Sequence, residues 1–258
     1  MAANARRYRL AVFTKNRKNP AYVGARLGAD RVAARHGCVV THCVPDKPDD
    51  VDEQHALLEA AYAGRPDALL IAPAHATALN GTLRRMQADG IPILCFVSRP
   101  EEIACTCFVG SDDRALARGI ADYLFDRLDG GGVVTLEGHP IAITTAPRAA
   151  GFRDAARARG KITIVDSRPG HFLRDGGYAG MIELLAARPR IDGVLAANDF
   201  MALGALDAMR ETGRKMPIVG VNATPEGVQA IKAGDMLASA SFDAMKMALP
   251  EWSAYLRG

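Results

Sequence analysis

Polar side chains recur directly after short apolar runs in this 258-residue sequence. Lys15 follows the first run, Ser98 and Arg99 follow a later one, and Asn198 and Asn222 follow two more. In an open parallel α/β sheet, the residues just beyond the carboxyl ends of the strands form the ligand-binding edge. Amide, guanidinium and ammonium groups bond hydroxyls, and aromatic rings stack on the apolar face of a sugar. The pattern therefore predicts a site for a small polyhydroxylated ligand.

The sequence lacks the short motifs that carry common catalytic chemistry. It contains no Gly-x-Ser-x-Gly elbow, no phosphate-binding Gly-x-x-x-x-Gly-Lys loop and no His-Glu-x-x-His. His75 and His139 lie near predicted strand ends without an obvious Ser or Asp partner, so we interpret them as solvated loop residues. The five cysteines do not have the spacing of zinc ligands, and we interpret them as small buried apolar side chains. We predict a protein that is not an enzyme and holds neither a cofactor nor a metal.

Apolar strands and amphipathic helices must position these residues, and the two alternate along the chain. The predicted strands are 10–13, 38–41, 68–71, 93–96, 107–109, 133–136, 162–165, 193–196, 217–221 and 237–240. Strands that are apolar throughout are buried on both faces, which indicates a parallel sheet covered by helices. About ten strands are too many for one compact sheet of this kind. The predicted fold class is therefore α/β, with two Rossmann-like lobes joined by a hinge.

The boundary between the predicted lobes falls at Val109-Gly-Ser-Asp112. We assign residues 1–109 together with 241–258 to the N-terminal lobe and residues 110–240 to the C-terminal lobe.

Bulk properties exclude several classes of partner. The net charge of +3 is too small to favour nucleic acid or a membrane surface. No apolar run approaches the ~18 residues needed to span a bilayer. The first nine residues, Met1 to Arg9, lack the apolar core of a signal peptide, so we expect either a cytoplasmic protein or a chain without its export signal.

Four stretches resemble motifs of one protein family. They are Lys15-Asn-Arg-Lys-Asn-Pro-Ala-Tyr22, Pro147-Arg-Ala-Ala-Gly-Phe152, Ala197-Asn-Asp-Phe-Met-Ala-Leu-Gly-Ala205 and Val219-Gly-Val-Asn-Ala-Thr-Pro-Glu226. Taken together, in this order and spacing, they resemble the type I periplasmic binding proteins. This is the ribose-binding and related sugar-binding family, which also supplies the ligand domains of LacI-type repressors. The resemblance extends from about residue 9 to the end of the chain.

The resemblance implies a set of ligand-binding residues in a cleft between the two lobes. Arg148 would hold ring or hydroxyl oxygens, Phe172 would stack on the ligand, and Asn198 would bond hydroxyls. Asp199 would support the hinge or cap a helix. The full predicted set is Lys15, Asn19, Tyr22, Ser98, Arg99, Arg148, Phe172, Asn198, Asn222 and Phe242.

Structural roles compete with each of these assignments. Arg148 could form a surface salt bridge, Asn198 could be only a helix cap, and Phe172 could pack in a core. Tyr22 could be a surface ring, and Lys15, like Arg99, could be a solvated charge.

Three positions depart from the family pattern. Val97 stands where an Asp is usual, Asn222 stands where an Asp is common, and Phe242 stands where Gln or Asn is common. A carboxylate accepts paired hydrogen bonds from neighbouring hydroxyls, and a neutral amide does so less well. Lys15, Arg99 and Arg148 add positive charge. We therefore expect a ligand that is less hydroxylated than a hexose, or one that carries a carboxylate.

The resemblance implies the solute-binding component of an ABC importer, which binds a sugar, a polyol or a sugar-acid-like molecule. Its partner would be the membrane permease, and we expect a periplasmic monomer with no nucleic-acid partner. The alternative is the ligand-sensing core of a LacI-type transcriptional regulator that lacks its DNA-binding segment. That alternative needs a helix-turn-helix segment before the first strand, for which residues 1–8 are too short.

Overall fold

The computed structural model describes residues 7–17 and 19–241. Within these ranges the chain forms two compact units, the first ending at Gly110 and the second beginning at Ser111. Phe242 lies outside the described residues, and so does all but the first residue of the segment 241–258 that we assigned to the N-terminal lobe. No helix in the described ranges is both long enough and apolar enough to span a membrane.

Among the described residues, the first unit contains a five-stranded parallel sheet and three helices. Its strands are β1 (Arg9–Phe13), β2 (Val39–Cys43), β3 (Ala68–Ile71), β4 (Ile93–Phe96) and β5 (Cys107–Val109), and its helices are α1 (Pro20–His36), α2 (Val51–Ala63) and α3 (Asn80–Ala88). The strand order is β2-β1-β3-β4-β5, and every pairing is parallel.

Alternate residues of these strands face two separate cores. Leu10 and Val12 of β1 pack with residues of α1, and Ala11 and Phe13 pack with residues of α2 and α3. Because successive strand side chains point to opposite faces, α1 covers one face of the sheet and α2 and α3 cover the other. β1, β3 and β4 are buried almost completely for this reason. Polar side chains that could contact a ligand therefore come from the segments that follow these strands.

The second unit repeats this architecture with five helices. Its strands are β6 (Gly131–Glu137), β7 (Ile162–Pro169), β8 (Gly193–Ala196), β9 (Ile218–Val221) and β10 (Ala238–Ala240), and its helices are α4 (Asp113–Phe125), α5 (Thr145–Arg159), α6 (Arg174–Ala187), α7 (Asp199–Glu211) and α8 (Pro225–Lys232). The strand order is β10-β9-β8-β6-β7, again with parallel pairings.

Two glycines from the sequence motifs allow close packing of helix pairs in the second unit. A Cβ atom at Gly151 of α5 would overlap the carbonyl oxygen of Arg114 in α4, and one at Gly204 of α7 would overlap the carbonyl oxygen of Arg174 in α6. Each pair of helices approaches to backbone contact at these points. The glycines thereby fix the positions of the amino-terminal ends of α5 and α7, which carry the predicted site residues.

The predicted fold class is confirmed: each unit is a parallel sheet flanked by helices. The bounds of several elements differ from the predicted ones. Helix α3 begins at Asn80 rather than at residue 77, because the His75 ring accepts hydrogen bonds from the backbone N–H groups of Thr77 and Ala78 and holds them in a turn. Strand β7 extends to Pro169 because it pairs with β6 from Ile162 to Pro169, with one register shift that leaves Val165 unpaired.

Candidate functional site

Arg148 is the buried centre of the candidate site in the second unit. It lies in the first turn of α5 and is only 4% exposed. Its Nε donates to Oδ1 of Asp113 at 2.7 Å, and its Nη1 donates to the carbonyl oxygen of Ala197 at 2.6 Å. Arg148 therefore forms a salt bridge, but a buried one that joins the starts of α4 and α5 to the end of β8. Its Nη2 has no hydrogen-bond partner among the described residues.

Phe172 lies beside Arg148 on the loop that follows β7. His171 and Phe172 both have left-handed backbone angles, with φ of 55° and 63°, which non-glycine residues adopt at an energetic cost. The guanidinium carbon of Arg148 is 5.8 Å from the centroid of the Phe172 ring. A Cβ at Gly138 would overlap that ring, so the ring rests on the backbone that follows β6. The ring is half-buried and has an aromatic face next to a cation.

Asn198 supports both the helix and the loop. Its Oδ1 accepts a hydrogen bond from the backbone N–H of Met201 at 2.9 Å and caps α7, while its Nδ2 donates to the carbonyl oxygen of Phe172 at 2.9 Å. The side chain is 2% exposed. Asn198 is thus a helix cap that also holds Phe172 in its unusual conformation. The predicted bond from Asn198 to a ligand hydroxyl stays a prediction.

Asp199 is a buried acid next to this site. It is fully buried; its Oδ2 accepts from the backbone N–H of Thr224 and its Oδ1 from the hydroxyl of Ser239, both at 2.6 Å. Burial raises the pKa of Asp199 from 3.8 to about 6, although these hydrogen bonds and the positive charge of Arg148 act in the opposite direction. The residue that caps α7 is Asn198, and Asp199 instead ties the start of α7 to the segments at β9 and β10.

Asn222 follows β9 at the same edge of the second sheet. Its φ is 106°, a left-handed conformation that Asn tolerates better than most residues. Its backbone N–H donates to the carbonyl oxygen of Ala240 at 2.8 Å, and the next N–H, of Ala223, donates to Ser239 Oγ at 2.9 Å. Within the described ranges its side chain makes no hydrogen bond, so the amide remains available to a ligand.

Two histidines lie together near Phe172. Our sequence analysis interpreted His139 as a solvated loop residue and did not select His171. The rings of His139 and His171 have centroids 5.1 Å apart. Each residue follows one of two neighbouring strands, β6 and β7, and strand neighbours bring their following loops together. Both histidines could be placed after a strand from the sequence alone. Their proximity could be predicted only once β6 and β7 were known to be neighbours.

The loop after β1 carries the predicted residues of the first unit. Lys15 is 3% exposed, so it is not a solvated charge. The guanidinium of Arg26 in α1, which our sequence analysis did not select, donates to Thr14 Oγ1 at 2.6 Å and to the carbonyl oxygen of Asn16 at 3.1 Å. Burial and the neighbouring charge of Arg17 lower the pKa of Arg26. This arginine fixes the loop that contains Lys15.

Asn19 and Tyr22 have structural roles in the first unit. The side chain of Asn19 caps α1 by accepting from the backbone N–H of Ala21 at 3.0 Å. Tyr22 is buried, and its ring meets Phe96 edge to face with a centroid separation of 6.3 Å. Tyr22 is therefore not a surface ring, and the contacts of both residues with a ligand stay predictions.

The segment after β4 makes a tight turn at Val97. The φ of Val97 is 62°, and the backbone N–H of Ser98 donates to the carbonyl oxygen of Phe96 at 2.6 Å. Ser98 is buried, and its hydroxyl donates to the carbonyl oxygen of Pro73 at 3.1 Å. Arg99 is exposed, with its guanidinium carbon 5.5 Å from the centroid of the Phe108 ring.

The structure thus brings Arg148, Phe172 and Asn198 into one hydrogen-bonded and aromatic assembly, with Asn222 along the same sheet edge. In the first unit, Lys15, Ser98 and Arg99 follow β1 and β4, as predicted from the end of each strand.

Comparison with known proteins agrees with this architecture. The profile of the family described as periplasmic binding protein domain matches residues 10–249. The D-ribose/D-allose-binding protein of Pseudomonas aeruginosa is 31% identical over 253 residues, covering 93% of this chain and 79% of the relative. The ribose import binding protein of Bacillus subtilis is 28% identical over 232 residues, covering 90% of this chain and 75% of the relative.

Solved structures show the same likeness. An ABC transporter solute binding protein from Burkholderia multivorans superposes with a TM-score of 0.92 at 27% identity, covering 98% of this chain and 93% of the other. The myo-inositol binding protein of Caulobacter has a TM-score of 0.87 at 25% identity, covering 98% and 88%. The resemblance seen in the four sequence motifs is confirmed, and the chain belongs to the periplasmic binding protein domain family.

Proposed function

We propose that this chain is the solute-binding subunit of an ABC importer and that it binds a sugar or polyol in the periplasm for delivery to a membrane permease. The relatives named above are binding proteins for ribose, allose and myo-inositol. The single observation that carries the proposal is the half-buried Phe172 ring held beside the Arg148 guanidinium in the second unit. An aromatic face with a directed cation next to it suits a ring that is apolar on one face and hydroxylated at its rim.

Each side chain of this assembly has a distinct part in binding. Phe172 stacks against the C–H face of the ligand, and Arg148 donates from Nη2 to a hydroxyl oxygen. The amide of Asn222, which has no side-chain partner in the part of the chain that the structure describes, both donates and accepts. Asn198 acts through Phe172, because its Nδ2 holds the loop carbonyl. Binding of this kind needs no chemical step.

The charges of the site favour a neutral ligand over an acidic one. Arg148 is already neutralised by Asp113 at 2.7 Å in a buried pair, so its guanidinium offers directional donors rather than net positive charge. Val97 and Asn222 stand where the family pattern has Asp, so two carboxylates that could accept hydrogen bonds from vicinal hydroxyls are missing at these positions. We therefore propose a polyol or a deoxygenated or small sugar, bound with fewer hydroxyl contacts than a hexose.

A thermal-shift screen followed by calorimetry tests the proposal. The panel contains D-ribose, D-allose, xylitol, myo-inositol, 6-deoxyhexoses and the matching sugar acids. We expect at least one neutral member to raise the melting temperature, since a ligand at 100 times its Kd stabilises the folded state by about 2.7 kcal/mol. Stabilisation by sugar acids alone would refute the neutral ligand, and no response from any member would contradict the proposed function.

Variants connect the binding to the site. Phe172→Ala should weaken binding of the ligand found by about tenfold or more, because stacking on an aromatic face contributes at least about 1.4 kcal/mol. Tyr123→Ala is the matched control, since Tyr123 is an aromatic residue of the same unit that is 40% exposed on α4. Equal affinity in both variants would remove Phe172 from the site.

A further inference from the structure

Two cysteines of the first unit lie against each other. The Sγ atoms of Cys95 and Cys105 are 2.7 Å apart, with both residues in the thiol form. Cys95 is in β4 and fully buried, whereas Cys105 is half-buried in the segment just before β5. Only Cys43 and Cys95 of the five cysteines are buried, so the interpretation of all five as buried apolar side chains is wrong for the other three.

Strand pairing creates this contact. Leu94 of β4 pairs with Cys107 of β5, and the backbone N–H of Thr106 donates to the carbonyl oxygen of Ile93 at 2.8 Å. The segment leading into β5 therefore returns alongside β4. Both sulfur-bearing side chains pack against the core that contains Ile103.

The two thiols differ in reactivity. The hydrogen bond between the two sulfurs and the nearby positive charge of Arg99 lower the pKa of Cys105 despite its partial burial. The same contact and full burial raise the pKa of Cys95. Because the thiolate is the nucleophile in disulfide exchange, Cys105 is the thiol that reacts first. Its partial exposure gives a small oxidant access to its sulfur.

We propose that Cys95 and Cys105 form an intramolecular disulfide when the protein meets a low-molecular-weight disulfide such as oxidised glutathione. The Cys105 thiolate attacks one sulfur of the oxidant, and one glutathione leaves as its thiolate. The sulfur of Cys95 then attacks Sγ of Cys105, and its proton passes to the second glutathione, which leaves as a thiol. Two protein thiols are oxidised and one oxidised glutathione is reduced to two thiols. The sulfurs need to approach by only about 0.7 Å to reach bonding distance.

The disulfide would close a ring from residue 95 to residue 105, which contains Ser98 and Arg99. It would join both ends of the loop between β4 and β5 and restrict the conformations of residues 95–105 in the unfolded chain. A ring of this length should raise the melting temperature by about 5 °C. The inference does not depend on the ligand or on transport, and its test uses the protein without any sugar.

Mass spectrometry on the full chain tests the proposal. We expect incubation with oxidised glutathione to lower the intact mass by two hydrogen atoms and to protect two of the five thiols from alkylation in denaturant. Cleavage after Glu101 or Glu102 separates Cys95 from Cys105, so only a disulfide keeps the two peptides together. Retention of all five alkylated thiols, or a stable glutathione adduct without a cross-link, would overturn the proposal.

Two serine variants assign the pair. Cys105→Ser should abolish the cross-link and the rise in melting temperature, whereas Cys107→Ser, which removes a half-buried thiol two residues away, should retain both. A cross-link that persists in Cys105→Ser and disappears in Cys107→Ser would show that Cys107, rather than Cys105, is the partner of Cys95. Fragmentation of the cross-linked wild-type peptide between Cys105 and Cys107 assigns the partner of Cys95 even if a variant fails to fold.

Discussion

At the scale of single residues, the second unit buries an ion pair beside its candidate site. The side chains of Arg148 and Asp113 are 5% and 10% exposed, and Nε lies 2.7 Å from Oδ1. Because both charges have left water, removing one strands the other in a poorly solvated position. The same pair orients the guanidinium that we propose as a ligand donor, so its effect on stability and its proposed effect on binding must be separated by experiment.

Replacing Arg148 by Met should destabilise the protein by about 3 kcal/mol, because Asp113 is then buried without its partner. The double variant Arg148→Met with Asp113→Asn should recover part of that loss, since no unpaired charge remains. Urea denaturation followed by circular dichroism measures both. A double variant that is no more stable than Arg148→Met alone would contradict the buried-pair explanation.

Asp199 should make stability depend on pH in the acid range. Its folded pKa of about 6 exceeds the ordinary 3.8, so the folded state binds a proton more tightly than the unfolded state does. This contribution to stability is fully present below about pH 3.8 and is lost as the pH rises through 6. The total change is about 3 kcal/mol.

The Asp199→Asn variant isolates this effect. Asn keeps an acceptor for the Thr224 N–H and can donate to Ser239 Oγ, but it does not titrate. The free energy of unfolding of wild type minus that of the variant should therefore decrease between pH 4 and pH 6.5, measured by urea denaturation at each pH. A difference that is constant over this range would show that Asp199 is not responsible.

At the scale of elements, the start of α7 combines a helix cap with a loop support. Asn198 accepts from the N–H of Met201 through one atom and donates to the carbonyl of Phe172 through the other. The left-handed Phe172 backbone needs such an external partner, because its conformation is unfavourable by itself. The side chain of Asn198 therefore connects the start of α7 to the conformation of the loop that carries Phe172.

Two substitutions at Asn198 should separate these functions. Asn198→Ala loses the cap and the loop contact, and should destabilise the protein by about 1–2 kcal/mol. Asn198→Asp keeps a capping oxygen but replaces the donor with a carboxylate that faces the Phe172 carbonyl. We expect near-normal α7 protection in hydrogen exchange for Asp but weakened ligand binding for both. Normal binding by Asn198→Asp would show that the loop contact is dispensable.

At the scale of the whole molecule, each unit has hydrophobic cores of its own. Phe152 of α5 is fully buried in the core of the second unit, and Phe13 and Phe96 are in the cores of the first. Since burial of apolar surface is the main favourable term in folding, we expect the stability of each unit to be set mainly by its own core.

Phe152→Ala should lower the stability of the second unit by about 3–5 kcal/mol, because it leaves a cavity in that core. Hydrogen exchange should show lost protection in β6 and β8 and unchanged protection in β1 and β3. Arg153→Ala, at the adjacent exposed position on the same helix, should change neither. Equal loss of protection in both sheets would mean that the units unfold as one.

The sequence by itself determined the alternation of strands and helices, the parallel sheets and the family. The strands and sheets follow from apolar runs such as Leu69-Leu-Ile71, which local periodicity identifies. The family follows from motif residues such as Gly151, where the absence of a side chain allows close helix packing. Arg148 and Asn198 could be selected from the same motifs because they follow strands or open helices.

The tertiary structure alone decided which side chains meet. Strand order placed His139 beside His171 and Cys95 beside Cys105, contacts between residues 32 and 10 positions apart. The tertiary structure also holds Val97 in a left-handed backbone conformation, which a branched side chain disfavours. Local sequence encodes burial and periodicity, whereas these contacts depend on the sum of packing over a whole sheet, which no short segment contains.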